Sequence, residues 1–123
     1  MAAPGDYAID LEVKFGPLER IDVQALSDAC TDAWSNQTLC RVNDGVVRLG
    51  VLRGEFHWHQ HDAQDECFFV LEGRLAVDLE GRSVDLRPRQ GFVVPRRVRH
   101  RTRAPERTVV LMVEQAGVVP TGD

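Results

Sequence analysis

No apolar run in this 123-residue chain approaches the ~20 residues that a helix needs to cross a bilayer, which excludes a membrane-spanning helix. The start, Met1-Ala2-Ala3-Pro4-Gly5-Asp6, lacks the basic and apolar stretches of a signal peptide, so a cytoplasmic location is expected. Cysteine is scarce: Cys30, Cys40 and Cys67 are an odd number without CxxC spacing. That pattern suggests neither a disulfide framework nor a cysteine zinc site, and reduced thiols are expected. An excess of positive charge is missing too. The net charge is -4, whereas nucleic-acid binding rewards clustered cations, so no nucleic-acid partner is expected. No internal repeat and no low-complexity tract interrupts the chain.

What is present suits one soluble globular domain, large enough to bury a core without staples. Charge is unevenly spread. From Arg82 to Arg107 there are nine arginines against Asp85 and Glu106, which predicts a locally basic region on an acidic protein.

Residues 1–36 read as an arm and lead-in segment packing on a barrel of residues 37–116, with 117–123 a frayed tail. The arm carries one short strand between Tyr7 and Phe15. From Ile21 to Trp34 the apolar positions fit neither period, so a strand running into a helical turn is as good as a helix. From Thr38 onward short β-rich runs alternate with turn residues, the pattern of an all-β barrel or sandwich. Thr38–Val42 and Val46–Leu52 flank Asn43-Asp44-Gly45, a hairpin turn in which Gly45, and Asn43 if needed, takes the positive φ. Further strands are predicted at Phe56–His61, Glu66–Leu71, Leu75–Leu79, Ser83–Leu86, Gly91–Val94, His100–Thr102 and Thr108–Val113.

All four histidines fall in two places, His57, His59 and His61 in one run and His100 in a later one. Side chains on a strand alternate faces, so the first three share a side while Phe56, Trp58 and Gln60 point the other way. Two adjacent imidazoles of that row can then reach a single ion. Glu66 follows across Asp62-Ala63-Gln64-Asp65, a polar connection long enough to turn the chain back. Its carboxylate could meet the same ion, and His100, after the turn-like Pro95-Arg96-Arg97, could complete the set. Three imidazoles and a carboxylate suit one divalent transition metal: Fe, Mn, Co, Ni, Cu or Zn. Four protein ligands on an octahedral ion leave two positions open, as a working site requires.

His59-Gln60-His61, four residues, Glu66, six residues and Gly73 resemble the first motif of the cupin superfamily. Pro88 to Gly91, then Phe92-Val93-Val94-Pro95 and His100, resemble the second. The resemblance covers about Val46 to Glu114 and is greatest to the small stand-alone cupins often described as mannose-6-phosphate isomerase-like. It implies a double-stranded β-helix (jelly-roll) barrel, a homodimer, and His59, His61, Glu66 and His100 as metal ligands inside the barrel. Three positions depart from the family pattern: Arg97 and Arg53 where glycine is common, and Ala104 where asparagine is common.

Around that centre, His57 is expected one step further along the row, as a hydrogen-bonded core histidine or as a proton-holding catalytic group. Phe68 and Val70 share the face of Glu66 and should wall a partly apolar substrate pocket, although filling the core is an equally good account of both. Arg96 and Arg97, in the turn, could reach the barrel mouth and attract an anion, a solvated rim or dimer contact being the weightier reading. Cys67 and Trp58 should point away from the metal, as should Arg99 and Arg101. Function follows the site and not the fold. One expectation is a metal-dependent isomerase, lyase or cyclase acting on a small carbonyl, hydroxyl or sugar-like substrate by Lewis-acid and proton-transfer chemistry. An iron-dependent dioxygenase and a non-catalytic small-molecule or sugar-binding sensor are the alternatives.

Overall fold

The computed structural model describes residues 7–123. A short strand β1, Ala8–Asp10, precedes the helix α1, Val23–Ala29. Strands β2 (Ser35–Val42), β3 (Gly45–Glu55), β4 (Glu66–Glu72), β5 (Leu75–Leu79), β6 (Arg82–Leu86), β7 (Gly91–Val94) and β8 (His100–Gln115) follow. The lead-in segment resolves as a helix, started by Asp22, whose side chain accepts the Ala25 N–H at 3.0 Å.

The hydrogen-bonded order is β1-β2-β3-β8-β4-β7, with β6 and β5 joined on through β8. The 16-residue β8 is therefore the hub. Its first part pairs with β5 and the end of β3, its second part with β3 and β4. Two separate strands were expected here; they are one, because Pro105-Glu106-Arg107 is absorbed as a bulge opposite Arg53. The sheet curls into the jelly-roll form of a double-stranded β-helix without the ladder closing on itself.

Val46 to Leu52 is almost continuously apolar because both faces of β3 are covered. Leu49 and Val51 pack with Leu39, Val109, Leu26 and Phe15 under the arm and α1. Leu52 faces the barrel interior with Phe56, Phe68, Val70, Val110 and Met112. At the β2–β3 turn Asn43 takes the positive φ of 53°, and Gly45 already belongs to β3. The motif glycine Gly73 has φ 84°, and a Cβ there would come within 2.6 Å of Arg107 O and Thr108 Oγ1. No other residue fits without moving β8.

Two expectations fail. Phe56–His61 is not a strand: its ladder is one bridge, in which His59 and His100 exchange both backbone hydrogen bonds at 2.9 Å. Alternation breaks accordingly. Phe56 turns into the core against Trp34 and Tyr7, and lies 5.2 Å from the His59 ring, instead of opposing the histidines. The final residues are not a frayed tail either. Val118 is buried, the Asp123 N–H donates to Gln60 O at 3.1 Å, and the Thr121 carbonyl accepts from His57 Nε2 at 2.7 Å. Residues 117–123 thus lie as a strap beside the histidine segment. Among the described residues no helix is long and apolar enough to cross a membrane.

Candidate metal centre

The inward faces of β4 and β8 and the His59–His61 segment converge inside the barrel. On β4 the buried residues are Glu66, Phe68 and Val70, and on β8 they include His100, Thr102, Ala104, Val110, Met112 and Glu114. Period-two geometry thus sets Glu66 and His100 on interior rows. The bridge between His59 and His100 brings the histidine segment beside them.

The donor atoms of His59, His61, Glu66 and His100 all lie within 4.8 Å of one another, and all four residues come from three separate stretches of chain. Glu66 Oε1 is 3.3 Å from His100 Nε2 and 3.4 Å from His61 Nε2. His59 Nδ1 donates to the His57 carbonyl at 3.0 Å and His100 Nδ1 to the Val98 carbonyl at 2.9 Å. Each bond fixes the tautomer and leaves Nε2 as the lone-pair nitrogen. His61 has two buried ring nitrogens without a hydrogen-bond partner. An unpaired imidazole nitrogen beside a carboxylate and two further imidazoles fits a divalent cation, and the N3O donor set suits a transition metal.

The electrostatics point the same way. Burial, and then the charge of His100, push His59 down to about 4, so it is a neutral ligand at physiological pH. Burial alone would raise Glu66, but the imidazoles of His100 and His61 and the proton of Glu114 outweigh it and hold it well below the usual carboxylate range. Glu114 is the opposite case. Burial and the neighbouring charge of Glu66 push it up to about 9, against the pull of Arg48. Arg48, itself 2% exposed, donates from Nη1 to Glu114 Oε1 at 2.7 Å and to Val118 O at 3.0 Å, and from Nε to Thr38 Oγ1 at 3.1 Å. One cation, one carboxylate and one protonated carboxyl leave the Arg48–Glu66–Glu114 group neutral overall.

The remaining predicted residues scatter. Phe68 lines a cavity of about 20 Å³ next to the centre, together with His59, Glu66, Asn36, Met112 and Pro120. Val70 is buried in the core cluster and is not among the residues of that wall. Arg96 is exposed: its N–H donates to Asp65 Oδ1 at 2.9 Å and its Nε lies 3.5 Å from the same oxygen. His57 is not in the ligand group. Its Nε2 holds the strap at Thr121, its Nδ1 is buried without a partner, and its ring stands 5.4 Å from that of His59. Trp58 is on the outside beneath Arg99 and Arg101. Arg97 occupies the left-handed region, φ 66°, and its N–H donates to the His61 carbonyl at 2.8 Å, so the turn keeps a glycine-like backbone without glycine.

Arg48, Glu114, Asn36 and Pro120 are absent from the residues expected at the site. A charged residue at an inward register position of an apolar strand was the available signal for Arg48 and Glu114. Nothing in the local sequence marks Asn36 or Pro120.

This architecture and this donor set define a cupin. The profile of the cupin domain family matches residues 45–114, more than half of the chain, and the chain belongs to that family. It is 38% identical over 91 residues to the protein YdbB of Bacillus subtilis (strain 168), a match covering 73% of this chain and 80% of YdbB. It is 43% identical over 61 residues to the polyketide synthase CurC of Streptomyces cyaneus, covering 48% of this chain and 40% of CurC. A solved cupin-2 domain containing protein from Shewanella frigidimarina superposes with a TM-score of 0.74 at 28% identity, covering 77% of this chain and 93% of that one.

Proposed function

We propose that this cupin is a metal-dependent enzyme that acts on a small carbonyl, hydroxyl or sugar-like substrate by Lewis-acid and proton-transfer chemistry, of the isomerase, lyase or cyclase type. The observation that carries it is the buried cluster of His59, His61, Glu66 and His100, of which His59 and Glu66 also line a cavity of about 20 Å³, room for one small group of a substrate such as a hydroxyl or carbonyl oxygen. His59, His61, Glu66 and His100 would hold a divalent ion, which when bound would polarise a carbonyl or hydroxyl oxygen, more strongly in a low-dielectric cavity than in water. Phe68, Met112 and Pro120 exclude bulk water from that side. Glu66 stays ionised and His59 neutral at physiological pH, the forms that ligate. His57 has Nε2 committed to Thr121 and does not line that cavity, so it serves as a positioning residue whose carbonyl accepts the Nδ1–H of His59. Similarity to CurC supports carbonyl chemistry, because that protein is named as a polyketide synthase.

The test uses protein loaded with zinc, manganese or cobalt, a panel of hydroxyketones, β-diketones and aldoses, and heavy water. Nuclear magnetic resonance should show metal-dependent deuterium uptake next to the carbonyl, faster than with free ion and lost in His61→Ala. Absence of uptake across the panel, with oxygen consumption by the iron-loaded protein, would contradict the proposal in favour of an oxygenase.

A further inference from the structure

Asn36 presents a buried amide that the fold does not use. It is 3% exposed, and its Oδ1 atom is wholly buried without a hydrogen-bond partner. Buried carboxamide oxygens are almost always paired, because an unpaired one forfeits its hydration with nothing in return. The residue lies on β2, one step along the inward row from Trp34, and opposite Gly50 of β3. Trp34 and Asn36 both line the cavity of about 20 Å³ whose other walls include His59, Glu66 and Thr102. A cavity of that size holds one water-sized group, and a polar group is stable in it only with two or more polar partners. Asn36, Glu66, His59 and Thr102 are such partners, set in an otherwise apolar wall.

From this juxtaposition we infer that Asn36 reads the ligand of the metal centre: its Oδ1 accepts a hydrogen bond from an O–H group of that ligand, the one or two heavy atoms of the group seated between it, His59 and Glu66. The inference rests on the metal-centre reading above and adds its selectivity. An O–H group seated there satisfies Oδ1, whereas a methyl group of equal size leaves it unpaired, and discrimination follows from that difference.

The experiment uses the full chain loaded with cobalt(II), whose visible absorption reports ligands entering its coordination sphere. Hydroxylamine is the probe that carries the O–H, and methylamine, with a methyl group in place of that hydroxyl, is its match in size. Asn36→Leu should bind cobalt one to one like the wild type and weaken hydroxylamine by about tenfold, the usual worth of one hydrogen bond in such a site, with methylamine changed less than about twofold. The metal-free variant should melt about 4 °C higher, since an unpaired amide has been replaced by an apolar side chain. Asn36→Ala, which cannot overpack the core, should repeat the hydroxylamine loss. Unchanged hydroxylamine affinity in both variants, an equal loss for methylamine, or a lowered melting temperature in both would overturn the inference. Failure of the wild type to bind cobalt would instead remove the metal centre itself, and this inference with it.

Discussion

Glu66 and Glu114 stand opposite each other as a register pair across β4 and β8, both about 95% buried, and Arg48 is bonded to the second at 2.7 Å. Two carboxyl groups this close in a buried setting cannot both ionise without a counter-charge. The metal ligand keeps its charge chiefly through the imidazoles of His100 and His61, while its neighbour Glu114 keeps a proton.

Arg48→Met should therefore be among the most damaging single changes in the chain. It leaves two buried carboxyl groups without their cation and strands Thr38 Oγ1 and the Val118 carbonyl. A loss of about 3–5 kcal/mol is expected, a large share of the stability of a domain this size. Urea unfolding of the metal-free protein measures it, and a loss below about 1 kcal/mol would deny the role.

The pH dependence of stability has two limbs of opposite sign. His59 is lowered from 6.5 to about 4, so between those values the unfolded chain binds a proton that the folded chain does not, and stability is lost as pH falls through that window. Glu66, lowered as well, adds to the loss as pH falls below 4.5. Glu114 is raised from 4.5 to about 9, so the folded chain holds a proton that the unfolded chain has released, and stability is lost as pH rises through that window. The His59 and Glu114 slopes cancel between 4.5 and 6.5, where the metal-free protein should be most stable. Above that, the proton held by Glu114 makes stability fall as pH rises. Glu114→Gln should flatten this alkaline limb in unfolding curves taken between pH 6.5 and 9; a limb of unchanged slope would contradict the protonation assigned to Glu114.

Two glycines with similar backbone angles should respond differently. Gly73→Ala meets Arg107 O and Thr108 Oγ1 at 2.6 Å on top of its φ of 84°, and should cost about 3 kcal/mol. Gly54→Ala has φ 98° but nothing within 4 Å of the new Cβ, so only the backbone penalty of about 1 kcal/mol applies. Thermal unfolding of the two variants separates steric from conformational cost, and equal losses would contradict the packing described around Gly73.

The four donor residues were legible because their spacing combines a two-residue strand period with a polar turn, and because the strand boundaries around Glu66 and His100 follow turn residues. The hub strand was less so. Pro105 reads as a break, yet β8 runs through it, since a bulge opposite Arg53 needs no N–H at that point. The histidine segment has the alternation of a strand, but its ladder is limited to the bridge with His100, so nothing holds Phe56 to the outward face. The strap was misread because Gly117, Pro120 and Gly122 resemble a tail, and only tertiary contacts to Gln60 and His57 order them. Asn36 was invisible for a similar reason: whether an asparagine near a strand start is solvated or buried depends on which face the arm covers.

The central claim is that His59, His61, Glu66 and His100 hold one ion between them and that His57 does not. Equilibrium dialysis against cobalt or zinc, followed by elemental analysis, tests it on the wild type, His57→Ala and His61→Ala. One ion per chain in the first two and a loss of at least about a hundredfold in affinity in the third is the expected result. Stoichiometric metal in His61→Ala, or an equal loss in His57→Ala, would contradict it.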